Sequence, residues 1–354
     1  MIGERTIYAL AAFIILVPGM ALAQMPSEIP PGNATPRGPH APIDINGESE
    51  LTDFITNGGW GGSGTSSDPY IVRDLTIDSG SERGAVVLAN ISSHLALDNF
   101  DLTVSRSSGV GLLIENSSNV VARDVEVASS YPDVVGIHVD HSSEVASFKA
   151  DLQNISVGIS LTDSQRIRIA GSYIYGNDMG IDVIRSENFR IVGNQVMRCN
   201  LQGITVNNSR NGMIEDNHVR ENEVGIHLYR SYYLKVYSNT LIHDGFYVDA
   251  YSLLNTLDIP TNNSVNSDPL YFYNGDQGGA NVPTDAGQVI LAGASNLKMR
   301  NLNISDVEYG VEVLVSRQIT IDSSTIHDCG VGVAVVSGSD LEILGSTVRD
   351  NRIG

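Results

Sequence analysis

Three scarcities in the sequence set limits before any motif is considered. Cysteine occurs twice in 354 residues, as Cys199 and Cys329, so a disulfide-stapled framework is excluded as the source of stability. Lysine occurs three times, as Lys149, Lys235 and Lys298, and the formal net charge is −20. With no basic patch to neutralise phosphates, the chain is unsuited to nucleic acid or to anionic membrane headgroups. It suits solvent, salty surroundings, and neutral or cationic partners. Metal motifs are missing too. The 8 histidines are dispersed, and no calcium-loop Asp-x-Asp-x-Asp or zinc spacing occurs. No metal site and no cofactor are expected. The glycine-rich Gly58-Gly-Trp-Gly-Gly-Ser-Gly has no following Gly-Lys-Ser/Thr, which argues against a phosphate loop.

Long apolar runs are limited to one, from Ile7 to Val17. Arg5 precedes it, Pro18-Gly19 breaks it, and Ala21-Leu22-Ala23 follows. That order predicts a secretory signal over residues 1–23, cleaved after Ala23, and the run is short for a membrane span of ~20 residues. The mature chain is expected to be secreted or at the cell surface, with no integral membrane segment. Residues 24–42 hold six prolines and no apolar periodicity, which predicts a flexible leader. Seven Asn-x-Ser/Thr triplets, at Asn33, Asn90, Asn116, Asn154, Asn207, Asn262 and Asn303, fit an exported chain but also arise by chance in one so rich in Asn and Ser.

What the sequence has in abundance is a repeat. Gly136-Ile-His-Val is followed by Gly158-Ile-Ser-Leu, Gly180-Ile-Asp-Val, Gly203-Ile-Thr-Val and Gly225-Ile-His-Leu, in steps of 22, 22, 23 and 22 residues. The pattern returns at Gly310-Val-Glu-Val and Gly332-Val-Ala-Val. Counting from each glycine, offsets 1 and 3, 9 and 11, and 16 are apolar, as in Ile181, Val183, Phe189, Ile191 and Val196. Offset 6 is Ser142, Ser164, Ser186, Ser209 and Ser231, and offset 14 includes Asn194, Asn217 and Asn239. Each repeat therefore reads as three short strands separated by polar turns. Such a strand cannot bury its apolar side alone, whereas identical rungs stacked ~4.8 Å apart pair every backbone group. The fold class is all-β: a right-handed, three-sided parallel β-helix of about 22 residues per rung. Asn194, Asn217 and Asn239 should form a ladder, and the opening glycines are expected to permit a tight turn into the first strand. A leucine-rich repeat shares the period, but here a second Gly-Ile-x-Val strand follows where its helical half would be.

Cys199 and Cys329 both fall at offset 19. At least four rungs separate them, roughly 19 Å, beyond the ~7 Å Cα separation that a disulfide tolerates. Two unpaired, buried thiols are expected. Residues 43–110 are expected to be less regular N-terminal coils, 111–245 regular rungs, 246–287 a Tyr-rich inserted loop or coil, and 288–354 further rungs. Eight of the 14 tyrosines lie between Tyr229 and Tyr273. The chain stops at Gly354 as a rung opens, which predicts a longer protein or a capping partner for that end.

Pro42-Ile-Asp-Ile-Asn-Gly, Gly62-Ser-Gly-Thr-Ser-Ser-Asp-Pro-Tyr-Ile-Val, Asn263-Ser-Val-Asn-Ser-Asp-Pro-Leu-Tyr-Phe-Tyr and Val282-Pro-Thr-Asp-Ala-Gly-Gln-Val-Ile-Leu-Ala resemble segments of NosD-type β-helix proteins and of archaeal surface proteins carrying such repeats. The resemblance covers about residues 42–354. It implies the β-helix fold, a grouping with carbohydrate-binding proteins and sugar hydrolases, and, through the NosD name, periplasmic copper delivery. The sequence offers no His-rich tract, Met cluster or Cys pair for copper.

By analogy with related β-helix polysaccharide enzymes, the outer face of the Gly-Ile-x-Val sheet is the candidate site. Offsets 2 and 4 there supply His138, Asp140, Asp182, Asn207, His227 and Tyr229, with Arg185 and Arg230 in the adjoining turn. Aromatic rings can stack on sugars while Asp and Asn take hydroxyl hydrogen bonds, so a polysaccharide or surface glycan is the expected partner. Alternatives are a lyase, epimerase or hydrolase on the same face, or a purely structural envelope element with a solvated surface. A hydrolase needs two carboxyl groups ~5–9.5 Å apart. Asp140 and Asp182, two rungs apart, are separated by ~9.6 Å of stacking.

Overall fold

A computed structural model describes residues 37–354. The signal segment expected over 1–23 and most of the Pro-rich leader lie outside the described residues. The chain winds as a β-solenoid of about 13 turns, ~22 residues each. The first face is a nine-stranded parallel sheet running from Ile43–Asn46 through Val135–Asp140, Val157–Thr162, Met179–Ile184, Gln202–Asn207 and Val224–Tyr229 to Phe246–Val248. Its register places Ile137, Ile159, Ile181, Ile204, Ile226 and Phe246 one above another, and all six are buried. In the middle rungs the second face includes Gln165–Ala170 and Arg190–Val192, and the third Tyr173–Tyr175 and Gln195–Met197. In earlier rungs these two faces run together as single long strands, such as Leu95–Val104.

The corners are made by residues in the left-handed region, four per regular rung. In one rung they are Asp163, Arg166, Gly171 and Gly176, and in a later one Asn208, Asn211, Asp216 and Glu221. Asn, Asp and Gly reach this region at little cost. Three of these residues are directly followed by a polar side chain turned into the interior, as Ser164, Ser172 and Asn177 follow Asp163, Gly171 and Gly176. At the first corner Ser142, Ser164, Ser186 and Ser209 each donate a backbone N–H to the serine hydroxyl of the next rung, at 3.0–3.2 Å. At the second, Asn194 gives its backbone N–H and its amide to Asn217 Oδ1 at 3.0 and 2.9 Å. Asn217 does the same to Asn239, and Asn239 to Asn263. Each amide also donates to a second-face carbonyl of the preceding rung, as Asn217 does to Ile191 at 3.1 Å. These buried columns satisfy the polar groups that the bends turn inward.

The opening glycines serve a different purpose from the one expected. Gly136, Gly158, Gly180, Gly203 and Gly225 do not adopt the left-handed conformation. A Cβ on Gly136 would instead lie 2.6 Å from the Gly158 carbonyl oxygen and 2.9 Å from the Leu152 side chain. The requirement is room inside the coil, where even a methyl group would strike the neighbouring rung.

Three features depart from the sequence expectation. Gly38–His40, assigned to the leader, is a strand paired with Leu75–Ile77. Residues 43–110 include a helix, Glu48–Gly58, whose Leu51 and Ile55 are buried in the same core as Ile43 and Ile45. This helix lies against the first rung, where Glu48 accepts hydrogen bonds from the Ser93 backbone and hydroxyl at 2.9 and 2.6 Å. The Tyr-rich segment 246–287 is in part ordered into strands, Phe246–Val248, Ser264–Val265 and Asp268–Val282, around a strand-free stretch over 249–263.

That segment forms a joint. Ser264–Val265 turns back against Asp268–Pro269 in an antiparallel pair, after which parallel stacking resumes from Asp268–Val282 to Gln288–Arg300. The nine-stranded sheet stops at Phe246–Val248, and its free edge meets side chains. Phe246 donates to Gln288 Oε1 at 2.8 Å, and Val248 donates to Glu312 Oε2 at 3.1 Å. Ile290 and Glu312 take the outward position of their strands yet are fully buried. The outer face of the C-terminal rungs is therefore packed on the end of the first stack. Arg352 is consequently 3.4 Å from Glu223, 129 residues away.

Candidate functional site

Strand alternation and register decide which expected site residues meet. His138, Ser160, Asp182, Thr205, His227 and Tyr247 form one outward column of the first face, each on the next rung. Asp140, Asn207 and Tyr229 belong to the adjacent column, and Asp140 Oδ1 is held by His141 Nδ1 at 2.9 Å. Arg185 and Arg230 are corner residues in the left-handed region rather than members of the face. Arg185 is spent on Asp163, with Nε and Nη2 at 2.8 and 2.6 Å from its two oxygens. Arg230 lies over the rings of Tyr229 and Tyr251, at 5.1 and 5.5 Å from their centroids.

The column is half-buried, and its chemistry follows. His138 and His227 are pushed down by burial, which favours neutral imidazoles. Burial alone pushes the Asp182 carboxyl up to about 6. Its column neighbours are Ser160 and Thr205, neither of which carries charge. The His138 Nε2, Thr205 Oγ1 and His227 Nε2 atoms are shielded and have no hydrogen-bond partner. At one end the column becomes aromatic. His227 is 4.8 Å from Tyr247 and 6.0 Å from Tyr229, and Tyr247 stacks on Tyr309 at 4.5 Å with 12° between planes.

Sequence reasoning missed Tyr247 and Tyr309. Tyr247 follows the shortened rung step at Gly245 and so fell in the segment read as an insertion. Tyr309 comes from the C-terminal rungs and reaches the column only because the joint packs them there.

Beside the face, the first corner holds a cleft of 360 Å³ lined by His141, Asp163, Arg185, Asn208, Arg210 and Tyr232, among others. Its charges are mutually satisfied, because Arg210 Nε takes Glu187 Oε2 at 2.6 Å in addition to the Asp163–Arg185 pair. Cys199 and Cys329 are free and buried, and burial pushes their thiols up to about 12 and about 11.

Two family models match the chain. One, described as the periplasmic copper-binding protein NosD, matches residues 65–266, and the other, the right-handed β-helix region, matches residues 250–354. This chain belongs to the NosD family. No curated protein matches it in sequence. Among solved structures this NosD-family chain is similar to a lacto-N-biosidase from Eubacterium ramulus, at 10% identity over 78% of this chain and 61% of that one, TM-score 0.44. It is also similar to PfbA, a surface adhesin of Streptococcus pneumoniae, at 12% identity over 89% and 82%, TM-score 0.46. A third is the periplasmic alginate epimerase AlgG, at 12% identity over 89% and 84%, TM-score 0.39. The chain spans less than two thirds of the biosidase's length.

The NosD name raises copper, and the residues present do not fit it. Among the described residues, the one group of three potential ligands is Asp140, His141 and Asp163. Arg185 occupies both oxygens of Asp163, and the group contains none of the sulfur ligands that select cuprous ion. The two thiols are buried apart from it and held protonated. Among the described residues no helix is long and apolar enough to cross a membrane.

Proposed function

We propose that this NosD-family protein is exported and binds carbohydrate without transforming it, in an adhesive or envelope role, along the outer face of the nine-stranded sheet. One observation carries the reading: a cation-free column of hydrogen-bonding side chains, His138 to His227, that ends in the grouped rings of Tyr229, Tyr247 and Tyr309. Tyrosine rings offer flat apolar surface to the C–H faces of sugars, and the half-buried Ser160 and Asp182 side chains of the same column suit hydroxyls. The sheet is open and crosses many rungs, which matches an extended polymer. A hydrolytic reading finds less support. Asp182 has the raised pKa of a general acid, but its nearest carboxylate partner on this face, Asp140, is two rungs away and engaged by His141. Stacking alone puts the pair at ~9.6 Å.

Affinity electrophoresis of the full chain through gels containing neutral polysaccharides tests the reading. Retardation by at least one polymer is expected, and Tyr247→Ala and Asp182→Ala should each weaken it roughly tenfold. Retardation unchanged in both variants, with circular dichroism confirming the fold, would remove the proposal.

A further inference from the structure

The second face carries a separate feature. Arg168 points outward from Gln165–Ala170 with Ala146 one rung below it, Arg190 one rung above, and Ala170 two residues along its own strand. None of these neighbours offers a side-chain acceptor. The surrounding arginines are all matched with acids. Arg123 Nε takes Asp98 at 2.8 Å, Arg190 Nε takes Glu215 at 2.7 Å, and Arg166 takes Glu144. Arg168 has no ion pair or hydrogen bond to any described residue, and its Nε is shielded from solvent without a partner. Its guanidinium carbon lies 5.6 Å from the centroid of the Phe148 ring, which occupies the adjacent column below Ala170. Burial, and then the charge of Arg190, push its pKa down, and the Glu215 carboxylate opposes them only in part.

A guanidinium braced on an aromatic ring, above an alanine and with no acceptor bonded to it, carries a desolvation cost that an anion relieves. The fork matches planar or tetrahedral oxyanions. The second face continues as a parallel sheet from rung to rung, which suits an extended chain rather than an enclosed small molecule. We propose that Arg168 is an anion subsite on the second face, taking the carboxylate or sulfate group of an acidic polysaccharide. This is a different face from the neutral-sugar column and rests on a different observation.

Isothermal titration of the full chain tests it with three probes of equal length: an oligogalacturonate, a sulfated oligosaccharide and an uncharged oligosaccharide. Binding of at least one acidic probe is expected, weakened by added salt, and the acid that binds identifies the preferred group. Arg168→Gln should lose roughly tenfold or more of that affinity, and Arg168→Lys less. Ala146→Glu, which places a carboxylate under the guanidinium, should block the site while keeping Arg168. Tyr247→Ala should leave acidic binding unchanged, so failure here and failure of the first-face reading are read separately. The proposal is overturned if neither acidic probe binds, or if Arg168→Gln and Ala146→Glu, each folded by circular dichroism, both bind as the parent does.

Discussion

Two regions of the solenoid face the same physical problem and solve it differently. In the regular rungs, every strand edge is covered by the next rung, and inward polar groups are covered by identical residues above and below, as in Asn194, Asn217 and Asn239. At the joint the next rung is absent from the nine-stranded sheet, and two side chains take its place. Gln288 accepts from the Phe246 N–H and returns a donor to the Phe246 carbonyl at 2.7 Å, while Glu312 accepts from Val248. The comparison teaches that a repeat protein can end one sheet inside its own fold, provided each edge group finds a buried partner. The regular region distributes this task over many equivalent bonds, whereas the joint concentrates it on two residues.

The largest expected effect comes from breaking the joint. Glu312→Ala strands the buried Val248 N–H and leaves a cavity, so a loss of about 3 kcal/mol is expected by denaturant titration. Burial pushes the Glu312 carboxyl well above its usual range. Glu312→Gln should accordingly cost about 1 kcal/mol or less. If Glu312→Ala melts as the parent does, the joint is not held by this contact.

The regular region should yield less to the same kind of change. Asn217→Ala removes the acceptor used by Asn194 and the donor to Ile191 and Asn239, with an expected cost of about 2 kcal/mol by the same titration. A cost exceeding that of Glu312→Ala would invert the contrast.

The smallest effect lies where the two regions meet. Asp244 continues the third-corner column in place of Asn, accepting from the Asn222 amide at 2.8 Å, and burial pushes its carboxyl up to about 8. Its folded value lies above the ordinary 3.8, so folding favours the protonated form. Its contribution is fully present below the ordinary value and is lost as pH rises through about 8. Asp244→Asn should therefore raise stability by about 1–2 kcal/mol at pH above 8 and change little at pH below 4. Thermal melts at the two pH values check this, and equal shifts at both would show that the carboxyl does not titrate with folding.

The stacking was readable because a 22-residue period returns each position to the same point on the coil. Once that period is seen, His138, Asp182 and His227 must share a column. The helix at Glu48–Gly58 was readable in part, since Leu51 and Ile55 are four residues apart, but it falls between strand-like segments that hide it. Corner conformations were hinted at by Asp163, Asn208 and Gly171, yet Arg166 and Arg185 adopt the same left-handed region, and nothing in their chemistry announces it. The opening glycines were visible as a pattern but misread in purpose, because a steric limit inside a coil and a backbone requirement at a turn leave the same residue in the sequence.

The amino-acid sequence alone determined the rung length, the alternation of inward and outward positions and the polar columns, because all three follow from periodicity along one chain. Only the tertiary structure decided how the stack ends, which rings complete the aromatic group and that Arg168 rests on a ring with its Nε shielded and unbonded. These depend on residues brought together across the joint and across rungs, where Glu312 resembles any outward polar residue and Arg168 any surface cation until their neighbours are known.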